Sequence, residues 1–286
     1  MSQRPIQSCC SQKNARKAGL FRRKSDGRVV KRYWCKVCKK YFSQATFDPA
    51  YRQKKRHLNH SIKIALASLN SQRRLALMFN VNKNTIARKA RYLAEQARLK
   101  MQNDLTRFSN VKEVQFDELQ TYEHSKCKPL SVALAVSKTT RKILGFQVGI
   151  MPATGHLAKI SVRKYGHRPD ERRQKMNALF QDLKPHLAHE IHLKSDECRF
   201  YKRIVKRHFP HAIYQQFKSH KSCIAGQGEL KKVKRDPIFI INHTFAMLRA
   251  NINRLIRRTW CTTKKISHLI DHLHIYMWVH NQYLTA

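Results

Sequence analysis

Two pairs of adjacent acidic residues follow short runs of strand-forming residues. Asp117 and Glu118 come after the run 111–116, and Asp196 and Glu197 come after a second such run. Carboxylates at the ends of neighbouring strands can bring two hard oxygen ligands together, and such a pair holds divalent metals that activate a nucleophile. A lone aspartate there would more often open a turn or cap a helix. Two of them, in a chain this poor in acids, favour a shared site.

The charge of the chain predicts a polyanionic partner. Its 286 residues include 59 Lys and Arg against 17 Asp and Glu, which gives a formal net charge of +42. Nucleic acid is the expected partner, because neutralised phosphates supply most non-specific affinity. A ribosomal protein would share the charge but would rarely be this long or carry paired acids. We expect no membrane segment and no signal peptide, since no apolar run reaches about 20 residues, and we expect a cytoplasmic, nucleoid-associated location.

The first fifty residues contain one metal-ligand spacing. Of eight cysteines, only Cys35 and Cys38 form Cys-x-x-Cys, within RYWCKVCKKYFS, which is the spacing of a zinc knuckle on a hairpin. The upstream partners would be Cys9 and Cys10, which are adjacent instead of spaced. Zinc on these four cysteines and a metal-free hairpin therefore both stay open. The metal-free hairpin would pack around three aromatic residues, Trp34, Tyr41 and Phe42.

Residues 71–91 have the pattern of a helix-turn-helix that follows a helix ending near Leu69. Ser71 is placed to cap the first helix, Asn80 suits a left-handed turn position, and Asn82 is placed to cap the second helix. The exposed face of the second helix is predicted to carry five polar or basic residues, Lys83, Asn84, Arg88, Lys89 and Arg91. That basic face favours DNA recognition over an ordinary helical hairpin. The second helix is predicted to extend to residue 108.

From residue 111 onward the pattern alternates between strands and helices. The predicted strands are 111–117, 130–136, 143–150, 190–195 and 212–217. The predicted helices are 172–186, 199–208, one that Asp236 caps with Pro237 at its first position, and 266–283. The segment 151–173 is predicted to be irregular and basic. The first three strands are expected to form an antiparallel meander.

Three segments carry a resemblance to a known family. They are VQFDELQTY around Asp117, LKSDECRFY around Asp196, and INHTFAMLRANINRLIRRTWCTTKK near the C-terminus. Together with the order of strands and helices, they resemble the insertion-sequence DDE-type transposases, over nearly the whole chain. The resemblance implies a multidomain α+β protein. Its parts would be a zinc-ribbon-like module at 1–50, a helix-turn-helix DNA-binding domain at 51–108 and an RNase H-like α/β catalytic core at 109–286.

The resemblance also implies a catalytic set. Asp117 and Asp196 would be the first two metal ligands, for Mg²⁺ or Mn²⁺. The third ligand of the family is usually Glu, followed seven positions later by a basic residue. The matching residues here are Asn242 and Arg249, and this spacing places both on one helix face. An amide oxygen can bind Mg²⁺ but adds no charge.

Other assignments stay open at this stage. Asn242 would otherwise be a plain surface amide. Glu229 and Asp236 fit the motif less well as third acids, and Glu118 and Glu197 are close enough in sequence to assist. His243 is expected to pack rather than react, and Trp260 to be a core aromatic rather than a base-stacking residue.

The implied activity is strand cleavage at the ends of a mobile element, followed by transfer of the freed 3′-hydroxyl to target DNA. Arg249 would neutralise phosphate charge. The partners would be double-stranded DNA, as terminal inverted repeats and target, and a second copy of the chain on paired ends. The alternatives are a decayed copy that only binds DNA, and a resolvase-like nuclease that would not need the N-terminal modules.

Overall fold

The computed structural model describes residues 14–24, 27–51, 53–107, 110–218, 236–256 and 260–285. Contacts within the chain divide it into two compact units, 1–59 and 60–286. The predicted helix-turn-helix and the strand-rich region both lie in the second unit. The three-domain division with boundaries near residues 50 and 108 stays a prediction.

The first unit is built on a small antiparallel sheet. Its strands are β1 (Ala15–Arg22), β2 (Val29–Cys35) and β3 (Tyr41–Phe42), in that order across the sheet. The aromatic packing differs from the predicted hairpin. Tyr33 stacks on Phe42 with ring centroids 5.7 Å apart, whereas Tyr41 is 60% exposed with the Arg32 guanidinium 4.1 Å above its ring. Tyr41 therefore serves as a surface cation–π partner and not as core.

Three helices open the second unit: α1 (Asn59–Leu66), α2 (Gln72–Met78) and α3 (Lys83–Arg107). The Ser71 side chain accepts the Arg74 amide, and the Asn82 side chain accepts the Asn84 amide, as the capping prediction requires. Asn80 has φ +45°, which confirms the left-handed turn position. The prediction for Leu69 was wrong, because α1 ends three residues earlier and Leu69, at φ +61°, is exposed.

A five-stranded mixed sheet forms the centre of the second unit. Its strands are β4 (Val111–Tyr122), β5 (Pro129–Ser137), β6 (Ile143–Ile150), β7 (Leu187–Asp196) and β8 (Ile213–Phe217). Their order across the sheet is β6-β5-β4-β7-β8. The first three strands pair antiparallel, which confirms the predicted meander, and β7 and β8 join parallel to β4.

Helices cover both faces of this sheet. On one face, α5 (Arg172–Leu183) and α6 (Tyr201–His208) pack on Phe116 and Leu193. On the other face, α7 (Phe239–Asn251) and α8 (Ile266–Val279) pack on Leu119 and Leu134. The side chains of each strand alternate between these two apolar layers, so neighbouring residues of β4 serve different faces. The arrangement is a mixed α/β fold.

Two further local predictions, both for helices of this unit, were wrong. The segment 151–173 was predicted to be irregular, yet it contains α4 (Leu157–Tyr165), which is held by a hydrogen bond from the Ser161 hydroxyl to the Cys127 carbonyl at 2.7 Å. Helix α7 begins at Phe239, later than predicted, and Asp236 closes the turn before it by accepting the Ile238 amide at 2.9 Å. Among the described residues, no helix combines the length and apolar character needed to cross a membrane.

Candidate functional site

The sheet brings Asp117 and Asp196 together. Strands β4 and β7 run parallel with Gln115 opposite Lys194, so two positions further along Asp117 stands opposite Asp196 on the same face. Asp196 ends β7, as predicted. Asp117 does not end β4, because residues 118–122 continue to pair with β5 after β7 has stopped. The two carboxylates thus meet where one strand pairing ends and the other continues.

The two carboxyl groups share a partly buried, acidic environment, in which each lies within electrostatic reach of the other. Asp117 Oδ1 accepts the Glu118 amide at 2.7 Å and the Tyr201 hydroxyl at 3.3 Å. Burial, and next the charge of Asp196, raise the pKa of Asp117 well above its usual value. Burial also raises the pKa of Asp196. Two carboxylates this close do not readily ionise together, so the pair tends to retain one proton.

One oxygen of the pair remains available. Asp196 Oδ1 is buried and accepts no hydrogen bond within the described chain. A buried carboxylate oxygen without a donor is costly, unless a cation or water completes it. The acceptor therefore has the chemistry of a metal ligand. Repulsion between the two carboxylates also favours metal binding, because a divalent cation would relieve it.

Gln115 fixes the start of α7 beside the carboxylate pair. It lies two residues before Asp117, on the same face of β4. Its side-chain carbonyl accepts the Ile241 amide and its amide donates to the Pro237 carbonyl, both at 3.1 Å. The Ile241 amide belongs to the first turn of α7, where backbone donors have no partner within the helix. Gln115 thus caps α7 from the neighbouring strand.

Asn242 is the next residue after Ile241, whose amide Gln115 holds. Its side-chain NH₂ donates to Asp236 Oδ2 at 2.9 Å, which orients the amide and leaves its carbonyl oxygen as the possible ligand atom. Arg249 lies two helical turns later on the same side of α7 and is partly buried. Asn242 is therefore a held group at the helix start, and not a free surface amide.

The alternative acids are placed less favourably. Glu118 lies on the opposite face of β4, where burial raises its pKa to about 7 against the effect of nearby Arg172. Glu197 is exposed beyond the end of β7. Asp236 is engaged by the Ile238 amide and by Asn242. Glu229 lies outside the described residues. His243 is exposed, with its ring 5.5 Å from that of Phe239, which agrees with the expected packing role.

The donor set fits a hard divalent cation only in part. In the part of the chain that the structure describes, no three His, Cys, Asp or Glu residues gather so as to hold a metal ion. Two carboxylates do meet, and the Asn242 amide, oriented by Asp236, is the candidate that the motif offers for a third protein oxygen. Mg²⁺ accepts such a set, since it commonly binds one or two carboxylates and completes its shell with water and substrate phosphate.

The predicted DNA-reading face of α3 needs one correction. Four of its residues, Lys83, Asn84, Arg88 and Arg91, are exposed. Lys89 is only 3% exposed and burial lowers its pKa. It follows Ile86 by three positions and precedes Leu93 by four, so it lies on the inner face of the helix. Lys89 therefore belongs to the packing of α3 and not to its exposed face.

The cysteine site is described in part. Cys35 is buried at the end of β2, where its carbonyl accepts the Lys39 amide at 2.9 Å, and Cys38 is partly buried in the same turn. Cys9 and Cys10 lie outside the described residues. The four-cysteine zinc site stays a prediction.

Two residues of the site were missed at the level of the sequence. Gln115 was read only as part of a buried strand, although a glutamine inside an apolar run signals a buried hydrogen-bonding role. Tyr201 was read as part of a helix, and no signal in the sequence links it to Asp117. Trp260, expected in the core, is 73% exposed.

No protein-family model matches the chain, and no curated protein proved similar to it in sequence.

Proposed function

We propose that the protein is a DDE-type DNA transposase, which binds the ends of an insertion sequence and catalyses metal-dependent strand cleavage and strand transfer. The observation that carries the proposal is the partly buried pair Asp117 and Asp196, which stand opposite each other where the parallel pairing of β4 and β7 ends and which have raised pKa values. An isolated structural aspartate does not need a second carboxylate against it. A pair that repels in the absence of a cation is the expected arrangement of a metal site.

The strand order also supports the proposal. Chain order across the second unit is third, second, first, fourth, fifth, with the second strand antiparallel to its neighbours. This is the arrangement that the resemblance to an RNase H-like core implies. The candidate third ligand lies on the helix after the fifth strand, packed against the first strand through Gln115.

Each residue has a distinct part in the proposed reaction. Asp117 and Asp196 would hold the metal, with the Asn242 carbonyl as the third protein oxygen. Divalent metal, when bound, activates the attacking oxygen and stabilises the leaving oxygen at the phosphodiester. The Tyr201 hydroxyl and the Glu118 amide hold Asp117 in place, and Gln115 holds the start of α7. Arg249, on the Asn242 side of α7, would neutralise a phosphate.

The charge of the protein supports DNA as the substrate. The exposed side of α3 carries Lys83, Arg88 and Arg91, and α3 is the second, capped helix of the predicted helix-turn-helix. We infer that this face reads the terminal inverted repeat in double-stranded DNA, and that two copies act on paired ends. Zinc on the cysteines of the first unit would add a second DNA-contacting module.

A second candidate function is DNA binding without catalysis. The observation that favours it is Asn242, which brings no negative charge to a site that otherwise offers two carboxylates. A decayed copy would keep its DNA-reading face and would bind element ends without cutting them. The two functions differ in one measurable property, which is metal-dependent cleavage.

The test compares wild type with Asp117→Asn on labelled DNA that carries the flanking repeat of its own gene. With Mg²⁺ we expect wild type to nick at the repeat end and the variant to be slower by on the order of 10³-fold, because the metal contributes several kcal/mol. Asp182→Asn is the matched control, since Asp182 is exposed and only accepts Gln147 at 2.9 Å. Equal cleavage by wild type and Asp117→Asn would refute the assignment. Tight repeat binding with no cleavage by any of the three would favour the second function.

A further inference from the structure

The second unit contains a cleft away from the carboxylate pair. Its volume is about 530 Å³, within the range of ligand sites of about 300–1,000 Å³. One wall comes from the start of α2 and the first turns of α3. The other wall comes from residues 253–254, 260–262 and 264 and from the first turns of α8. The floor is apolar and includes Leu66, Ala90 and Ile275.

The walls of the cleft are strongly basic. Five Lys or Arg side chains line it, namely Arg73, Lys83, Arg91, Arg254 and Lys264. Among the described lining residues, Asp271 is the one carboxylate. Like charges gathered around a concave surface raise the local potential, because the low-dielectric walls focus the field. The cleft therefore attracts an anion that carries several charges.

Trp260 stands at this cleft and is 73% exposed. A large exposed aromatic ring beside several cations is a surface that can stack on a flat, partly charged ligand. A nucleic-acid base provides the flat face, and its phosphates provide the charge. Stacking of one base on an aromatic side chain contributes about 1–3 kcal/mol. A paired base inside a duplex does not expose its face, so the ligand must be unpaired.

We propose that this cleft binds an unpaired nucleotide of a DNA strand, with its base on Trp260 and the flanking phosphates on Arg73, Lys83, Arg91 and Lys264. The inference rests on the proposed function for its choice of DNA, since strand cleavage and transfer produce DNA ends with exposed bases. Lys83 and Arg91 are also two residues of the proposed duplex-reading face. The cleft therefore adjoins that face, and one helix would contact both the duplex and the unpaired nucleotide beside it.

The test uses the full chain with Asp117→Asn, without divalent metal, so that binding is separated from cleavage. Labelled oligothymidylate of about twelve nucleotides and a blunt duplex of the same length are titrated by fluorescence anisotropy. Trp260→Leu is expected to weaken oligothymidylate binding about 5- to 150-fold and to leave duplex affinity within about two-fold. Trp260→Phe, which keeps a ring, is expected to fall between the two. Thermal unfolding of each variant verifies the fold.

Several outcomes would overturn the inference. Trp260→Leu that binds oligothymidylate as tightly as its parent removes the stacking role. Equal loss of single-strand and duplex binding shows that Trp260 does not read an unpaired base, and equal competition by polyglutamate shows that charge alone holds the strand. If oligothymidylate binding depends on Trp260 but the wild-type protein never cleaves DNA, the proposed function is refuted and the inference about the cleft stands. If the wild-type protein cleaves DNA but Trp260→Leu binds oligothymidylate normally, the inference about the cleft is refuted and the proposed function stands.

Discussion

Replacing Gln115 by Met is the sharpest perturbation of the candidate site, because Met has nearly the same shape and forms neither hydrogen bond. The Ile241 amide, a buried donor now 3.1 Å from Gln115, would lose its partner at a cost of about 1–3 kcal/mol. The carbonyl of exposed Pro237, also 3.1 Å from Gln115, would lose its hydrogen bond at a cost of about 1 kcal/mol. We expect the free energy of unfolding to fall by about 2–4 kcal/mol.

The assay is urea unfolding of the metal-free protein, with Gln147→Met as the matched control. Gln147 lies on β6 of the same sheet and forms one exposed hydrogen bond, to Asp182 at 2.9 Å, so its replacement should cost less than about 1 kcal/mol. DNA cleavage is measured at a temperature where both variants are folded. There, Gln115→Met should still be slower, because the start of α7 and Asn242 are no longer fixed. Equal stability and equal cleavage in the two variants would refute the capping role.

Three further predictions concern DNA binding, acid stability and metal binding. Arg88→Ala should weaken duplex binding and lower the slope of log affinity against log salt by about one, whereas Lys89→Ala should lower the melting temperature and leave that slope unchanged. The pKa of buried His272 is lowered to about 4, so the unfolded chain binds the extra proton and stability falls as pH drops from 6.5 towards 4. Urea unfolding should show that His272 contributes about 2 kcal/mol to the loss between pH 7 and pH 5, and that His272→Gln reduces this loss. Mg²⁺ should raise the melting temperature of wild type but not of Asp117→Asn, and an equal rise in both would place the metal elsewhere.

Strands could be predicted from the sequence where their residues are mostly apolar on both faces. The runs that became β5 and β6 are mostly apolar on both faces and contain Val or Ile, so each gave a clear signal. The extension of β4 past Asp117 gave none, since Glu118, Gln120 and Thr121 have the polarity of a loop. Their pairing with β5 decides their conformation, and that pairing is a long-range property.

Helix α4 was missed for a related reason. Its nine residues carry three basic side chains, and two of its apolar residues, Ile160 and Val162, are exposed, so it has no strong apolar stripe. The buried Ser161, which a sequence pattern counts as polar, provides its attachment through the Cys127 carbonyl. A helix that is attached through a buried polar contact rather than an apolar stripe is invisible to hydrophobic periodicity.

The candidate site was only half predictable. The two aspartates could be found because each follows a strand-like run, and the register between those strands then places them together. The support for the site could not be found, because Tyr201 and Gln115 act through contacts between elements distant in sequence. Lys89 was misplaced because the apolar stripe of α3 is weak at its start, where a lysine can bury its long stem among apolar neighbours.

The 25-residue helix α3 has a mechanical consequence. It runs without interruption for about 37 Å, from the helix-turn-helix to the layer where it packs along α8. Under the proposed function, a rigid rod of this kind would act as a ruler, which would set the number of base pairs between the sequence that is read and the bond that is cut. Each residue inserted into α3 would turn one end against the other by about 100°. Insertions of a full turn should therefore move the cut along the duplex, whereas half-turn insertions should uncouple reading from cutting.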